Sequence, residues 1–261
     1  MGSAQQQSKH WGARAIDWAE LQEMQHVPLW NAMLSACGVN QHTKLLDVGC
    51  GGGGACALAR TLGAQVVGID ATPELIHHAR DTLHDVTFDI GDIERLPYLD
   101  NQFDVVFAAN IIQYAQNHHQ ALSEFKRVCK PGGWIVAGLF ASPDKVAFSA
   151  VLSTIRNALP TPPQGGGPFE LSINDALERL FKEAGLMVVK SAEVNCPFIY
   201  RNCQDFYRAT LSAGPAQNAI HAIGEQALIN LLELNFAHYQ SPQGDITITP
   251  NMFKFICAKP R

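Results

Sequence analysis

A chain of 261 residues with 47% hydrophobic content can build one large domain around a sizeable core. A net charge of −5 leaves no basic face of the kind that non-specific nucleic-acid or anionic-membrane contact needs. No apolar run reaches the roughly 18 residues of a bilayer span and no charged-then-apolar leader opens the chain, so a cytoplasmic location without a membrane span is expected.

The cysteines Cys37, Cys50, Cys56, Cys129, Cys196, Cys203 and Cys257 are odd in number, scattered and without a C-x-x-C pair. That pattern suits reduced thiols better than disulfides or a zinc site, and no metal is expected. From about residue 11 to 37, apolar side chains recur at helical spacing: Trp11, Ala15, Trp18, Leu21 and Met24, then Leu29, Met33 and Cys37. A break is expected at Pro28. Such a segment is either an amphipathic helix packed on the core or a lid over a ligand.

Leu45 to Val48 reads as a short buried strand carrying one carboxylate, Asp47. Gly49, Gly51, Gly52, Gly53 and Gly54 follow, and helix formers run from Ala55 to Leu62. Strand, glycine turn and helix together make a small-molecule cradle, because the turn lets the backbone approach a ligand and aims free N–H groups at it. Gly49-x-Gly51-x-x-Gly54 also satisfies the dinucleotide fingerprint, a cheap match in a run so rich in glycine. Asp47 points elsewhere, since a carboxylate beside the pocket repels a pyrophosphate and attracts a cation.

Gln65 to Asp70 is a second apolar strand ending in an acid, 23 residues after Asp47. An acid at that edge accepts hydrogen bonds from vicinal ribose hydroxyls, in dinucleotide enzymes as well as others. Thr72 and Pro73 suit the N-cap and first turn of a helix running to about Leu83, on which His77 and His78 read as solvated. A third strand, Val86 to Ile90, leads into Gly91-Asp92-Ile93-Glu94-Arg95-Leu96-Pro97. A fourth, Phe103 to Ala108, ends at Asn110-Ile111-Ile112-Gln113-Tyr114, a loop expected to face ligand and substrate. A helix from Gln120 to Val128, the turn Lys130-Pro131-Gly132-Gly133 and a fifth strand from Trp134 to Phe140 follow.

These elements, in this order over residues 11 to 140, resemble the class I S-adenosylmethionine-dependent methyltransferases, in their ubiquinone/menaquinone-biosynthesis-like small-molecule branch. Asp47 with Gly49, Gly51 and Gly53 is similar to the family's acid-then-G-x-G-x-G motif. Trp11-x3-Ala15-x2-Trp18 resembles the aromatic element that lies over the methionine end of the cofactor, where a ring face meets a sulfonium. Gly91-Asp92 to Leu96-Pro97 resembles the G-D-x-x-x-L-P element, and Arg127-Val128-Cys129-Lys130-Pro131-Gly132-Gly133 the turn before the fifth strand.

The resemblance implies an α/β fold: a Rossmann-like, doubly wound, seven-stranded, mostly parallel sheet with an antiparallel last strand. An N-terminal helical lid (1–40) would precede the methyltransferase domain (41–261), with cap helices around 142–168 and 200–242. It implies S-adenosyl-L-methionine as cofactor, held by Trp11, Trp18, Asp47, Gly49, Gly51, Gly53, Asp70, Ala71, Asp92, Ile93 and Asn110. Asp92 would accept the adenine amino group, and the Ile93 N–H would reach a ring nitrogen; a plainer reading has Asp92 cap a turn.

The second half is less regular. An apolar helical patch, Val146 to Leu159, precedes Thr161 to Phe169, a proline- and glycine-rich loop. Ser172 to Ala184 reads as a helix capped by Ser172 and Asn174 and stopped at Gly185. Leu186 to Val194 is a sixth strand, and residues 202 to 240 look helical around a break at Gly214-Pro215, with Leu231 and Leu234 among the apolar positions. From Gly244 a short hairpin is expected, its last arm, Met252 to Ala258, closing the sheet.

Methyl transfer is an in-line displacement with a good leaving group, so catalysis can rest on alignment and exclusion of water. Gln113, Tyr114, His118 and His119 are the polar groups nearest the expected methyl, and none is assigned as a base. The N-P-P-Y signature of amide and adenine N-methyltransferases is missing. Three readings stand: a methyltransferase acting on O, N or C of a small, largely apolar metabolite, an NAD(P)-dependent oxidoreductase, and a non-catalytic adenosyl-binding module. The oligomeric state is open.

Overall fold

The computed structural model describes residues 3–161 and 167–260. Pro162 to Gly166, the centre of the expected loop, lie outside the described residues; of its end, Gly167–Phe169 forms one 3-10 turn.

Strand β1 (Lys44–Val48) is the middle of the parallel part of the sheet, buried from Leu45 onward. On one side it pairs in parallel with β2 (Gln65–Asp70), and β2 with β3 (Thr87–Ile90). On the other it pairs with β4 (Phe103–Ala109), and β4 with β5 (Cys129–Phe140). Further along the chain come β6 (Leu186–Asn195), the short β7 (Phe198–Tyr200) and β8 (Ile246–Ile248), and finally β9 (Met252–Pro260). β9 inserts between β5 and β6, antiparallel to both, giving the seven-strand order β3-β2-β1-β4-β5-β9-β6. The expected doubly wound sheet with a reversed last strand is therefore present.

Helices cover both faces. On one face lie α3 (Val27–Ala36), α4 (Gly54–Thr61) and α5 (Pro73–Thr82), over a core that includes Leu29, Met33, Leu45, Phe107 and Phe253. On the other lie α6 (His118–Val128) and α8 (Ala176–Glu183), over Leu46, Phe103, Phe125 and Phe181. Amphipathic helices on a two-faced apolar sheet have few other ways to hide those surfaces. The approach of α3 is close: a Cβ on Gly138 of β5 would stand 2.7 Å from the Met33 sulfur.

Ahead of α3 the chain is less regular than its apolar spacing predicts. α1 (Ser3–Gly12) and a single turn, α2 (Ala15–Asp17), are followed by a wide π-type turn over Trp18–Gln22 and a tight 3-10 turn over Glu23–His26. Pro28 opens α3 instead of breaking a helix, since a first-turn proline gives up no intrahelical N–H. Met24, taken for a core position, is exposed.

The C-terminal cap is α7 (Ser149–Asn157), α9 (Cys203–Ser212), α10 (Gly214–Ile223) and α11 (Glu225–Phe236). Leu234 is 81% exposed and belongs to no core. The expected hairpin after Gly244 does not form. β8 pairs with β7 in a separate two-stranded sheet, because Pro250 has no N–H to continue a ladder and buried Asn251 turns the chain. Asn251 receives the Phe148 N–H on Oδ1 at 2.8 Å and donates from Nδ2 to the Ile248 carbonyl at 2.8 Å. Two other boundaries move. Ser172 does not cap α8; its hydroxyl donates to the Phe140 carbonyl, and the chain enters the helix through Asn174 and Asp175, both at φ 52°. β5 begins at Cys129 through an irregular excursion over Lys130–Gly133, where Gly132 takes φ +76°.

Candidate functional site

A cleft of about 900 Å³ opens above the C-terminal ends of β1 to β4, roofed by the N-terminal segment. Strand ends of an open parallel sheet gather ligands because each successive loop leaves in the same direction. Trp11, Trp18, Asp47, Gly49, Gly51, Asp70, Ala71, Asp92, Ile93 and Asn110, all singled out in the sequence, line it together. Gly53 does not. It takes φ +91° at the start of α4, and a Cβ there would press on Ala79 and Leu83 at α5 and on Phe88 of β3, so a glycine is needed for the backbone to pass this close to them.

The glycine turn differs from expectation in one chemically decisive way: none of its N–H groups from Gly49 to Gly54 is free. Gly49 and Cys50 donate to the Ile69 carbonyl at 2.8 and 3.1 Å, and Gly53 donates to the Cys50 carbonyl at 2.9 Å. Gly51 donates to Asp70 Oδ2 at 3.1 Å. Gly52 and Gly54 donate to Oε2 and Oε1 of Glu23, at 2.7 and 2.9 Å. The cradle therefore offers a ligand glycine surface and carboxylate oxygens, not a row of donors.

Each acid has a distinct setting. Asp47 is 2% exposed; burial pushes it up to about 7, while the Cys56 thiol donates to its Oδ2 at 3.2 Å. Burial pushes Glu23 up to about 8, although two backbone N–H groups favour its charged form. Asp70 is raised for the same reason, and its Oδ1 accepts the Thr72 N–H at 2.9 Å. Asp92 does cap its own turn, accepting the Glu94 N–H on Oδ1 at 2.9 Å, and it also faces the cleft. No lysine or arginine lines the cleft among the described residues, so four carboxylates stand there without a basic partner.

The roof is aromatic. Trp11 meets Trp18 edge to face at 4.4 Å and Tyr114 at 5.7 Å, and Trp11 Nε1 donates to Gln7 Oε1 at 3.1 Å. Below them His26 is buried and fixed as one tautomer. Its Nδ1–H donates to the Glu23 carbonyl at 2.9 Å, and its Nε2 accepts from Asn110 Nδ2 at 3.1 Å. Burial pushes His26 down to about 4, so it is neutral at pH 7. Asn110, at φ +60°, also accepts from Gln113 Nε2 at 3.2 Å. Burial raises the Tyr114 phenol. His118 and His119, weighed as polar groups near the methyl, do not line the cleft; His119 lies 3.5 Å from Glu183 on α8.

Glu23, His26 and Trp30 also line the cleft and were not singled out in the sequence. The available signal was backbone accounting: a buried glycine run needs acceptors for its N–H groups, and a carboxylate upstream can supply them. Among the described residues no cluster of His, Cys, Asp and Glu could hold a metal ion, and no helix is long and apolar enough to cross a membrane.

Residues 46–137 match the family described as "Methyltransferase domain". An uncharacterized protein of Mycobacterium tuberculosis is 30% identical over 223 residues, covering 80% of this chain and 78% of the relative. Norajmaline N-methyltransferase of Rauvolfia serpentina is 37% identical over 100 residues, 36% of this chain and 34% of that enzyme. Among solved structures, the cyclase SpnF is similar with a TM-score of 0.58 at 22% identity, covering 89% of this chain and 80% of that one, a likeness of fold alone.

Proposed function

The chain belongs to the class I S-adenosylmethionine-dependent methyltransferases, and we propose that it methylates a small, largely apolar and uncharged or cationic metabolite, at nitrogen in preference to oxygen or carbon. The observation that carries this reading is the full pairing of the Gly49–Gly54 N–H groups in a cleft that holds four acids and, among the described residues, no lysine or arginine. A pyrophosphate would find every glycine-turn N–H already paired and no lysine or arginine among the described residues to meet its charge, which counts against the dinucleotide reading.

The cofactor, S-adenosyl-L-methionine, supplies when bound a methyl group on a sulfonium. In this reading Asp47 and Glu23 hold negative charge near its cationic end, Asp70 accepts the ribose hydroxyls, and Asp92 with the Ile93 N–H takes the adenine edge. Trp11, Trp18 and Tyr114 exclude water and present ring faces to the sulfonium. The lid role falls to residues before Val27, because α3 is core. Asn110 is held by Gln113 and His26 and fixes the loop through which the acceptor approaches.

In this reading the acids lining the cleft serve the cofactor, and His26 and Tyr114 offer no free base to an acceptor: both His26 nitrogens are engaged, and burial raises the Tyr114 phenol. An uncharged amine needs no base, whereas a phenol or alcohol does, which favours nitrogen. An acceptor bearing a carboxylate or phosphate would find no cation to pair with. The relative named for N-methylation of norajmaline supports the same direction. Incubation of the protein with isotopically labelled cofactor and a panel of apolar amines, phenols and carboxylic acids tests it by mass spectrometry. Label appearing in amines supports the reading; label confined to acids, or S-adenosylhomocysteine never forming, contradicts it.

A further inference from the structure

Glu23 is a carboxylate 5% exposed, carried on a 3-10 turn that directly follows a π-type turn. Irregular turns of this kind re-aim a side chain, and this one brings Glu23 across 29 residues of sequence onto Gly52. Both oxygens accept glycine N–H groups, and the side chain still forms part of the cleft wall. Its neighbours define which end of the cleft it serves. A Cβ built on Gly51 would stand 2.6 Å from Glu23 Oε2 and 3.5 Å from Trp18 Nε1, so acid and indole converge over Gly51. Asp92, by contrast, sits on the loop after β3.

Resting on the methyltransferase reading, we propose that Glu23 is a cofactor-specificity residue: it fills with a protein carboxylate the anion position at the start of α4 and presents that charge to the ammonium of the cofactor's amino-acid end. Glu23→Gln gives up one of the two glycine acceptors together with the charge, so a ligand that lacks the amino acid is needed to read any effect on the glycine turn apart from the attraction for the ammonium. Each carboxylate oxygen has lone pairs beyond the one given to a glycine, so the N–H bonds do not prevent a third contact. They hold the acid in place before any ligand arrives, and a pre-positioned side chain loses little conformational entropy on binding.

Calorimetry on wild type and Glu23→Gln separates this role from a structural one, using S-adenosylhomocysteine and 5′-methylthioadenosine, which keeps the nucleoside and lacks the amino acid. We expect Glu23→Gln to weaken S-adenosylhomocysteine about tenfold or more and to leave methylthioadenosine within about twofold. Equal weakening of both ligands makes Glu23 a support for the glycine turn and overturns the proposal, as does unchanged affinity for S-adenosylhomocysteine. Wild type that binds neither ligand overturns the methyltransferase reading and this inference with it. Wild type that binds both, with no selective loss in the variant, overturns the inference alone.

Discussion

Asp47 accepts the Cys56 thiol, its single side-chain partner among the described residues, and stands buried near the end of β1. Asp47→Asn keeps the shape and removes the charge, so it should weaken S-adenosylhomocysteine about tenfold by calorimetry while leaving the far-ultraviolet spectrum unchanged. The buried acids also set a pH dependence. Glu23 and Asp47 are raised to about 8 and about 7 from ordinary values near 4.5 and 3.8, so the folded protein holds protons that the unfolded chain has released, and stability falls as pH rises. His26, lowered to about 4 from 6.5, acts in the opposite sense but only below pH 6.5. Between pH 6.5 and 8 the acids act alone, and the ligand-free protein should lose about 2 kcal/mol, read as a falling melting temperature. Saturating S-adenosylhomocysteine should reduce that loss, because its ammonium favours the ionised acids. A melting temperature flat or rising over this range would contradict the assignment. At this scale Asp47, Asp70 and Asp92 were legible because each ends an apolar run or sits in a short motif. Glu23 was not: its role exists only after a long-range contact forms.

The N-terminal segment is held at several points by the cap and by β7. Arg208 Nε donates to Asp17 Oδ1 at 3.0 Å, Tyr200 donates to Gln22 Oε1 at 2.8 Å, and the Gln25 amide pairs with both backbone groups of Ile199 at 2.8 and 3.0 Å. At the start of α10, a Cβ on Gly214 would lie 2.9 Å from the Trp11 indole. Gly214→Val should therefore displace Trp11 and weaken cofactor binding several-fold, with quenching of tryptophan fluorescence by acrylamide reporting the looser ring. Unchanged affinity would mean that Trp11 does not serve the cleft. Elements with strong local signals were easy to place: β2 was expected at Gln65 to Asp70 and is found there. Those decided by distant partners were not. β8 has the composition of a hairpin arm, yet only the three-dimensional placement of β7 beside it settles its pairing. The entry to α8 was misplaced because Ser172 spends its hydroxyl on β5.

Across the whole molecule, the face of the sheet that carries α3 is continuous with the site. Phe253 on β9 touches Phe140 at 4.4 Å and His26 at 5.2 Å by ring centres, so it links the closing strand to the turn that carries Glu23. Phe253→Ala should cost about 3–5 kcal/mol, read from urea unfolding, and should weaken cofactor binding as well. A variant that lost stability but bound normally would uncouple core and site. That the sheet is doubly wound and mostly parallel, with a reversed last strand, followed from the alternation of apolar runs and helices read with the family resemblance. The placement of the cap did not, because its apolar helices look alike in sequence whichever surface they cover.

Everything proposed for the cleft depends on its taking a phosphate-free nucleoside that carries an ammonium. Parallel titrations of the purified protein with S-adenosylhomocysteine by calorimetry and with NADH by fluorescence test this most directly. Saturable binding of S-adenosylhomocysteine with no response to NADH is expected; NADH binding with S-adenosylhomocysteine ignored would contradict the assignment of the cleft.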